Sequence, residues 1–250
     1  MPKEYFRYKP VNIEWQEGFT LVELTIVLFI VALLMGGMLV PLSAQRDVQS
    51  ITDTQRQLAS INEAILGFAA AQRRLPCPAA PGTTGIENPL GGGACTNNFN
   101  GFLPAITLGI SPTDAQGYAI DAWGNRIGYA VTNANATAFT TASGMQAAWA
   151  GGLSPDLRVC KTAANITNAG AANADCPAAD TLTNNAVAVI FSSGKNGGAA
   201  PTSTDELANW TSSNDRVFIS AAPGASFDDI VVWLSPNILY NRLISAGRLP

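Results

Sequence analysis

The chain has 250 residues, enough for one sizeable domain with appendages. Charged residues make up 13% of it and the formal net charge is −4, so neither a basic nucleic-acid surface nor an acidic tail is indicated. Histidine is absent, which excludes His-based acid–base catalysis, Ser-His-Asp and Cys-His nucleophiles, and His-ligated zinc.

Residues 1–18 read as a polar leader, with Lys3, Arg7 and Lys9 against Glu4, Glu14 and Glu17, placed on the cytoplasmic side. Gly18-Phe19-Thr20-Leu21-Val22-Glu23-Leu24 comes next, and the apolar run Thr25 to Leu42 follows it. About twenty apolar residues cross a bilayer core as one helix. From Phe19 through Leu42 only Glu23 is ionisable, and a carboxylate in a lipid-buried helix is costly unless something pairs with it. Arg46 lies beyond the apolar run. Cleavage between Gly18 and Phe19 would create a positive amine four residues before Glu23, and side-by-side copies could match one amine with the next carboxylate. An ordinary secretory signal has the opposite order, with its small-residue cleavage site after the apolar region. Gly36, Gly37 and Pro41 mark a kink or a locally unwound stretch over 36–41.

Past Ser43 the pattern becomes amphipathic, with Ile51, Leu58 and Ile65 interleaved with Ile61 and Phe68 on one helix face. The stripe suits packing on a globular head, or a coiled-coil partner. The prediction is one helix over residues 19–74, about 80 Å long at about 1.5 Å per residue. Its part 19–42 is transmembrane and its part 43–74 is amphipathic. Leu75-Pro76-Cys77-Pro78 stops it, because two closely spaced prolines cannot continue a helix. Residues 75–250 are then the head.

Within the head, 79–102 is a loop thick with Gly, Pro and Asn, and Phe102 to Ile110 is an apolar segment that packs onto the helix. A turn on Gly124-Asn125 leads into the alternation of Ile127, Tyr129 and Val131, a strand entry. The Ala-, Asn-, Thr- and Gly-rich stretch 132–186 reads as an elaborated loop with at most short helices or strands. Strands are expected over Ala186 to Phe191, Arg216 to Ser220 and Phe227 to Leu234, and a short helix in Ser235 to Pro250. The loop Ser192 to Gly198 is no phosphate-binding loop, since Asn196 stands where Ser or Thr is required after Lys195.

Cys77, Cys95, Cys160 and Cys176 form no CxxC pair, so zinc is a poor reading and two disulfides in an oxidising compartment a better one. Three connectivities are open. The sequence-local pairs Cys77–Cys95 and Cys160–Cys176 are favoured, each worth about 3 kcal/mol through the unfolded chain. Asp228 and Asp229 enter a strand next in order to a Gly-Asn-Gly loop with free carbonyls, a donor set that suits calcium, which takes six to eight oxygens.

Gly18-Phe19-Thr20-Leu21-Val22-Glu23-Leu24 with its apolar helix resembles the class III signal of type IV pilins and type II secretion pseudopilins. The resemblance implies that a prepilin peptidase cuts after Gly18 and methylates Phe19, and that Glu23 guides assembly. Asp121, Trp123, Gly124 and Tyr129 are similar to the head signature of the major pseudopilin. Ser192, Gly194, Asn196 and Gly197, with Asp228, Asp229, Ile230 and Trp233, resemble that protein's calcium-binding loops. Two departures stand out. Asn196 takes the place of an Asp, and the longer segment 198–227 brings Asp205, Glu206 and Asp215, which either replace the missing charge or decorate the surface.

What the resemblance implies is an α+β, type IV pilin-like fold in which the long helix packs on a small antiparallel sheet with disulfide-tied loops. The implied function is that of a structural subunit of a type II secretion pseudopilus. It would be anchored once in the bacterial inner membrane, with its head in the periplasm. Its expected partners are copies of itself, other pilin-like subunits, prepilin peptidase and the inner-membrane assembly platform, without nucleic acid. The alternatives are a major or minor type IV pilus subunit and, from another class, a membrane-anchored periplasmic enzyme or binding protein.

Overall fold

The structure is a computed structural model that describes residues 18–250 other than 172, 202, 211–214 and 225; over 36–44 it describes the backbone and not the side chains. The leader before Gly18 therefore lies outside the described residues. Helix α1 runs over Leu21–Gln72, and the chain divides into two compact units, 1–47 and 48–250.

In the first unit every described side chain from Phe19 to Met35 is exposed, although nearly all are apolar. A helix that is hydrophobic all round is stable where lipid or other protein surrounds it. Among the described residues no helix is long and apolar enough to cross a membrane; the span expected over 19–42 continues into 36–44.

In the second unit α1 is one-sided. Leu58, Ile61, Ile65, Leu66 and Ala69 are buried and Thr54 lies with them, while Ile51 is exposed and Phe68 only half-buried. The apolar stripe thus runs from Thr54 through Ala69 and is offset from the one expected. The helix stops where Arg73 takes a left-handed conformation (φ 58°) ahead of Pro76, and the Leu75 amide then donates to the carbonyl of Phe139 at 2.7 Å. Burial of Leu58, Ile61, Ile65 and Leu66 contributes roughly 1.5–3 kcal/mol each.

The buried stripe of α1 shares a core with one face of a four-stranded antiparallel sheet of order β1-β2-β5-β7. Its strands are β1 (Gly101–Phe102), β2 (Gly128–Val131), β5 (Ala188–Ser192) and β7 (Ile230–Leu234). Alternation divides their side chains. Tyr129, Val131, Ala188 and Ile190 join the helix side, whereas Ala130 and Val189 join a second cluster with Leu157, Val159 and Phe218. That cluster belongs to a second sheet, of order β4-β3-β6, built from β3 (Leu157–Cys160), β4 (Thr181–Ala186) and β6 (Val217–Ile219).

The single antiparallel sheet of the expected fold therefore needs a correction. A second, mixed sheet, in which β3 pairs β6 in parallel, covers the face of the first that points away from the helix. This explains why β2 and β5 are nearly continuous apolar runs, since a strand buried on both faces loses its polar alternation. Gly128 fits this packing, because a Cβ there would meet the ring of Phe191, its register partner, at 2.2 Å.

The stretch read as an elaborated loop contains β3, β4, the short helical turns α3 (Ala134–Thr137) and α4 (Gly144–Ala148), and a 3₁₀ turn at Trp149–Gly151. Another short helix, α2 (Ala105–Leu108), lies in the apolar segment after β1, and α5 (Thr204–Trp210) lies in the insertion between β5 and β6. Helix α6 (Pro236–Ser245) starts at Ser235, whose hydroxyl accepts from the Ile238 amide, and it buries Leu239 and Leu243 in the α1 core. The disulfides are Cys77–Cys95 and Cys160–Cys176. The second sits in a small core with Val217, Ile219 and Phe227.

Candidate functional site

Two places in the chain carry chemistry. At the first, Thr20 and Glu23 form a reciprocal cap at the start of α1. The Thr20 amide and hydroxyl each lie 3.0 Å from Glu23 Oε2, and the Glu23 amide donates back to Thr20 Oγ1 at 3.2 Å. This is a capping box, and its Thr-x-x-Glu signature was legible in the sequence. Glu23 accordingly has a local hydrogen-bond partner within its own chain. Gly18 and Phe19 are exposed, with nothing within 4 Å of the position a Cβ would take at Gly18.

The second place is in the head, where three separate turns converge. Asp121 Oδ1 accepts from the amides of Trp123 and Asn125 and so shapes the Gly124 turn, and Asp121 Oδ2 takes the Ser192 hydroxyl at 2.5 Å. Ser192 Oγ in turn accepts from the Gly194 amide, and the Asn125 side-chain amide donates to the Gly194 carbonyl at 2.6 Å. The Asp-x-Trp-Gly turn and the loop after β5 are thereby one hydrogen-bonded unit.

That loop faces Asp228, whose Oδ2 accepts from the amides of Lys195 and Asn196 at 2.9 and 3.2 Å. Gly194 is required at this approach. Its φ is +63°, and a Cβ there would lie 2.5 Å from the Asp228 carbonyl oxygen and 2.6 Å from Oδ1. Helix α5 then brings in Glu206, which accepts from the Asn196 side-chain amide and from the Asp228 amide, both at 3.1 Å. Asn209, one helical turn further on, donates to Asp229 Oδ2 at 2.7 Å and also ties α5 to both backbone groups of Ile219.

Carboxylate oxygens of Glu206, Asp228 and Asp229 all lie within 4.8 Å of one another. Burial, with the charges of Glu206 and Asp228 adding to it and the Asn209 hydrogen bond opposing it, pushes Asp229 up to about 7. Burial also raises Asp228, against the pull of the Asn196 and Lys195 amides. Asp228 Oδ1 is buried with no hydrogen-bond donor. Three converging acids, one with an orphaned buried oxygen, form a donor set that fits a hard divalent cation.

Of the residues expected here, Asn196, Asp228 and Asp229 are brought together. Glu206 comes with them, from the insertion after Gly198, and stands in contact with the Asn196 amide. Asp205 accepts instead from Thr162 and Ala163, and Asp215 from Val217 and Gly170, so neither joins the cluster. Ile230 and Trp233 lie on β7.

Residues 16–39 match the model of the prokaryotic N-terminal methylation motif. The chain carries a type IV pilin-like N-terminal signal. The matched segment contains Gly18, Phe19 and Glu23 and ends before the head. No curated protein and no solved structure matches the chain.

Proposed function

We propose that the chain is a structural subunit of a type II secretion pseudopilus. On this reading prepilin peptidase cuts after Gly18 and methylates Phe19. The subunit waits in the inner membrane with its head in the periplasm, and the assembly platform feeds it into a filament with its own copies and other pilin-like subunits. The observation that carries the reading is the methylation motif over 16–39; on this reading Glu23 would pair with a neighbour's Phe19 amine. The uniformly apolar, uniformly exposed side chains from Ile26 to Met35 support it, because a helix of that kind needs lipid or other helices around it.

Glu23 has to trade partners on this account. Its Thr20 cap serves the isolated helix, and a charged amine from the adjacent subunit makes the stronger, charge-assisted bond. The joined Asp-x-Trp-Gly turn and Ser-x-Gly loop support the secretion assignment over a pilus. The extra chain in 132–186 and 198–227, which builds β3, β4, α5 and β6, favours the second reading, a specialised type IV pilus subunit. Glu206, Asp228 and Asp229 would hold calcium, which supplies positive charge to the three acids and ties α5 to the start of β7. Mass spectrometry of the native protein tests the central claim: the expected mature end is N-methylated Phe19, and a chain still beginning at Met1 would overturn it.

A further inference from the structure

A cavity of about 380 Å³ opens beside the carboxylate cluster, walled by Phe102, Phe191 and Trp210, with Glu206 and Asp229 at one end. Of the four asparagines that line it, three have their side-chain amides committed, while Asn100 is exposed. Asn125 donates to Gly194, Asn196 to Glu206, and Asn209 to Ile219 and Asp229. Among the described residues the one cationic side chain lining it, Arg126, is also engaged; it pairs with Asp114 at 2.6 Å, donates to Gln116, and lies over the Tyr118 ring at 4.2 Å. What the cavity offers is therefore acceptors and aromatic faces. Trp210 is 48% exposed, so part of its surface remains open to an incoming group.

We propose that this cavity receives an arginine side chain of another protein chain, the guanidinium pairing with Glu206 and Asp229 and the methylene stem lying along Phe102, Phe191 and Trp210. Acidic ends with spent donors ask for a donor-rich cation, and a planar guanidinium satisfies a carboxylate with two parallel bonds while stacking on aromatic walls. The apolar stem is as well suited to the walls as the head is to the acids. The inference stands without the calcium reading. Calcium and arginine call on the same two carboxylates, so each should exclude the other.

The test is a nuclear magnetic resonance titration of the full chain in detergent, with chelator present, using a short Gly/Ala peptide that bears one central arginine and the same peptide with neutral citrulline. The arginine peptide is expected to bind at least about tenfold tighter, and Trp210→Ala, at the open wall, to weaken it without changing the melting temperature. Equal binding of the two peptides, or binding of neither, overturns the proposal. Repeating the titration with calcium separates the two readings. Displacement of the peptide supports both, while unchanged arginine-selective binding supports the cavity and removes calcium from these carboxylates. A photo-crosslinker at exposed Asn100 on the rim distinguishes the source in cells. An adduct at twice the chain's mass assigns the arginine to a second copy and any other mass to a different protein, and in either case the adduct should vanish when free arginine peptide is added in excess.

Discussion

The buried ion pair between Arg74 and Glu87 fastens the loop of the first disulfide to the end of α1, and removing it should be among the most damaging single changes in the head. The two side chains are 5% and 4% exposed and meet through two bonds, Nη1–Oε2 at 2.7 Å and Nη2–Oε1 at 2.6 Å. The Glu87 carboxylate also accepts from the amides of Cys77 and Gly91, both at 3.2 Å. Glu87→Ala leaves a guanidinium without its counter-charge and two amides without an acceptor, which should cost about 3–5 kcal/mol. At roughly 2–4 °C per kcal/mol for a domain of this size, the melting temperature should fall by about 6–20 °C. The double variant Arg74→Met, Glu87→Met carries the same amide penalty as the single variant but no longer strands a buried charge, and apolar replacement of a buried pair is far milder than removal of one partner. It should therefore unfold at a higher temperature than Glu87→Ala alone. The assay is thermal unfolding of the full chain in detergent, followed by near-ultraviolet circular dichroism. A Glu87→Ala protein that melts within about 2 °C of the parent, or a double variant no better than the single one, refutes the reasoning.

Glu23→Ala should leave cleavage after Gly18 intact and deplete the protein from sheared filaments, because the neighbour's amine loses its carboxylate while the lost Thr20 cap costs the start of the helix only about 1 kcal/mol; normal filament entry would count against the amine–carboxylate account. Gly18→Ala, and more so a bulkier residue, should slow processing, seen as an unshifted band on a gel. Nothing stands within 4 Å of that Cβ position, so a folding defect in its place would show the glycine to be structural. Chelation should lower the melting temperature of the head, and an Asp228→Ala, Asp229→Ala double variant should be indifferent to both chelator and calcium; a variant still stabilised by calcium would place the ion elsewhere. The raised Asp229 also sets a pH dependence. Its folded value of about 7 lies above the ordinary carboxylate value, so the folded chain holds a proton that the unfolded chain releases earlier. Metal-free stability contributed by this group is fully present below pH ~4 and declines as pH rises towards 7, by up to about 4 kcal/mol. Melting curves of the chelated parent and of Asp229→Asn between pH 5 and pH 7.5 should diverge in that direction, and parallel curves would contradict it.

Much of this molecule is written in local patterns. The class III signal, the long helix and its stop before Pro76, the entry to β2 and the start of α6 each depend on residues within a turn or two of one another, so propensity and periodicity suffice. The offset of the buried α1 stripe to Thr54, Leu66 and Ala69 shows where that ends, because the face a helix buries is chosen by what packs on it. The apolar runs of β2 and β5 carried a sign of burial on both faces and β6 was legible as a strand, but its neighbours β3 and β4 were hidden in Ala-, Asn- and Thr-rich chain that alternates weakly.

The sequence by itself determined the N-terminal signal, since Gly18, Phe19 and Glu23 are recognised by their spacing along the chain, and the absence of histidine removed whole classes of catalysis. Only the tertiary structure decided which acids share a site. Glu206 meets Asp228 and Asp229 across a fold in which α5, the loop after β5 and the start of β7 come together, while Asp205, its neighbour in sequence, accepts instead from Thr162 and Ala163. Adjacent helix residues point about a quarter-turn apart, so folding brought one of them to the cluster and the other to a different partner.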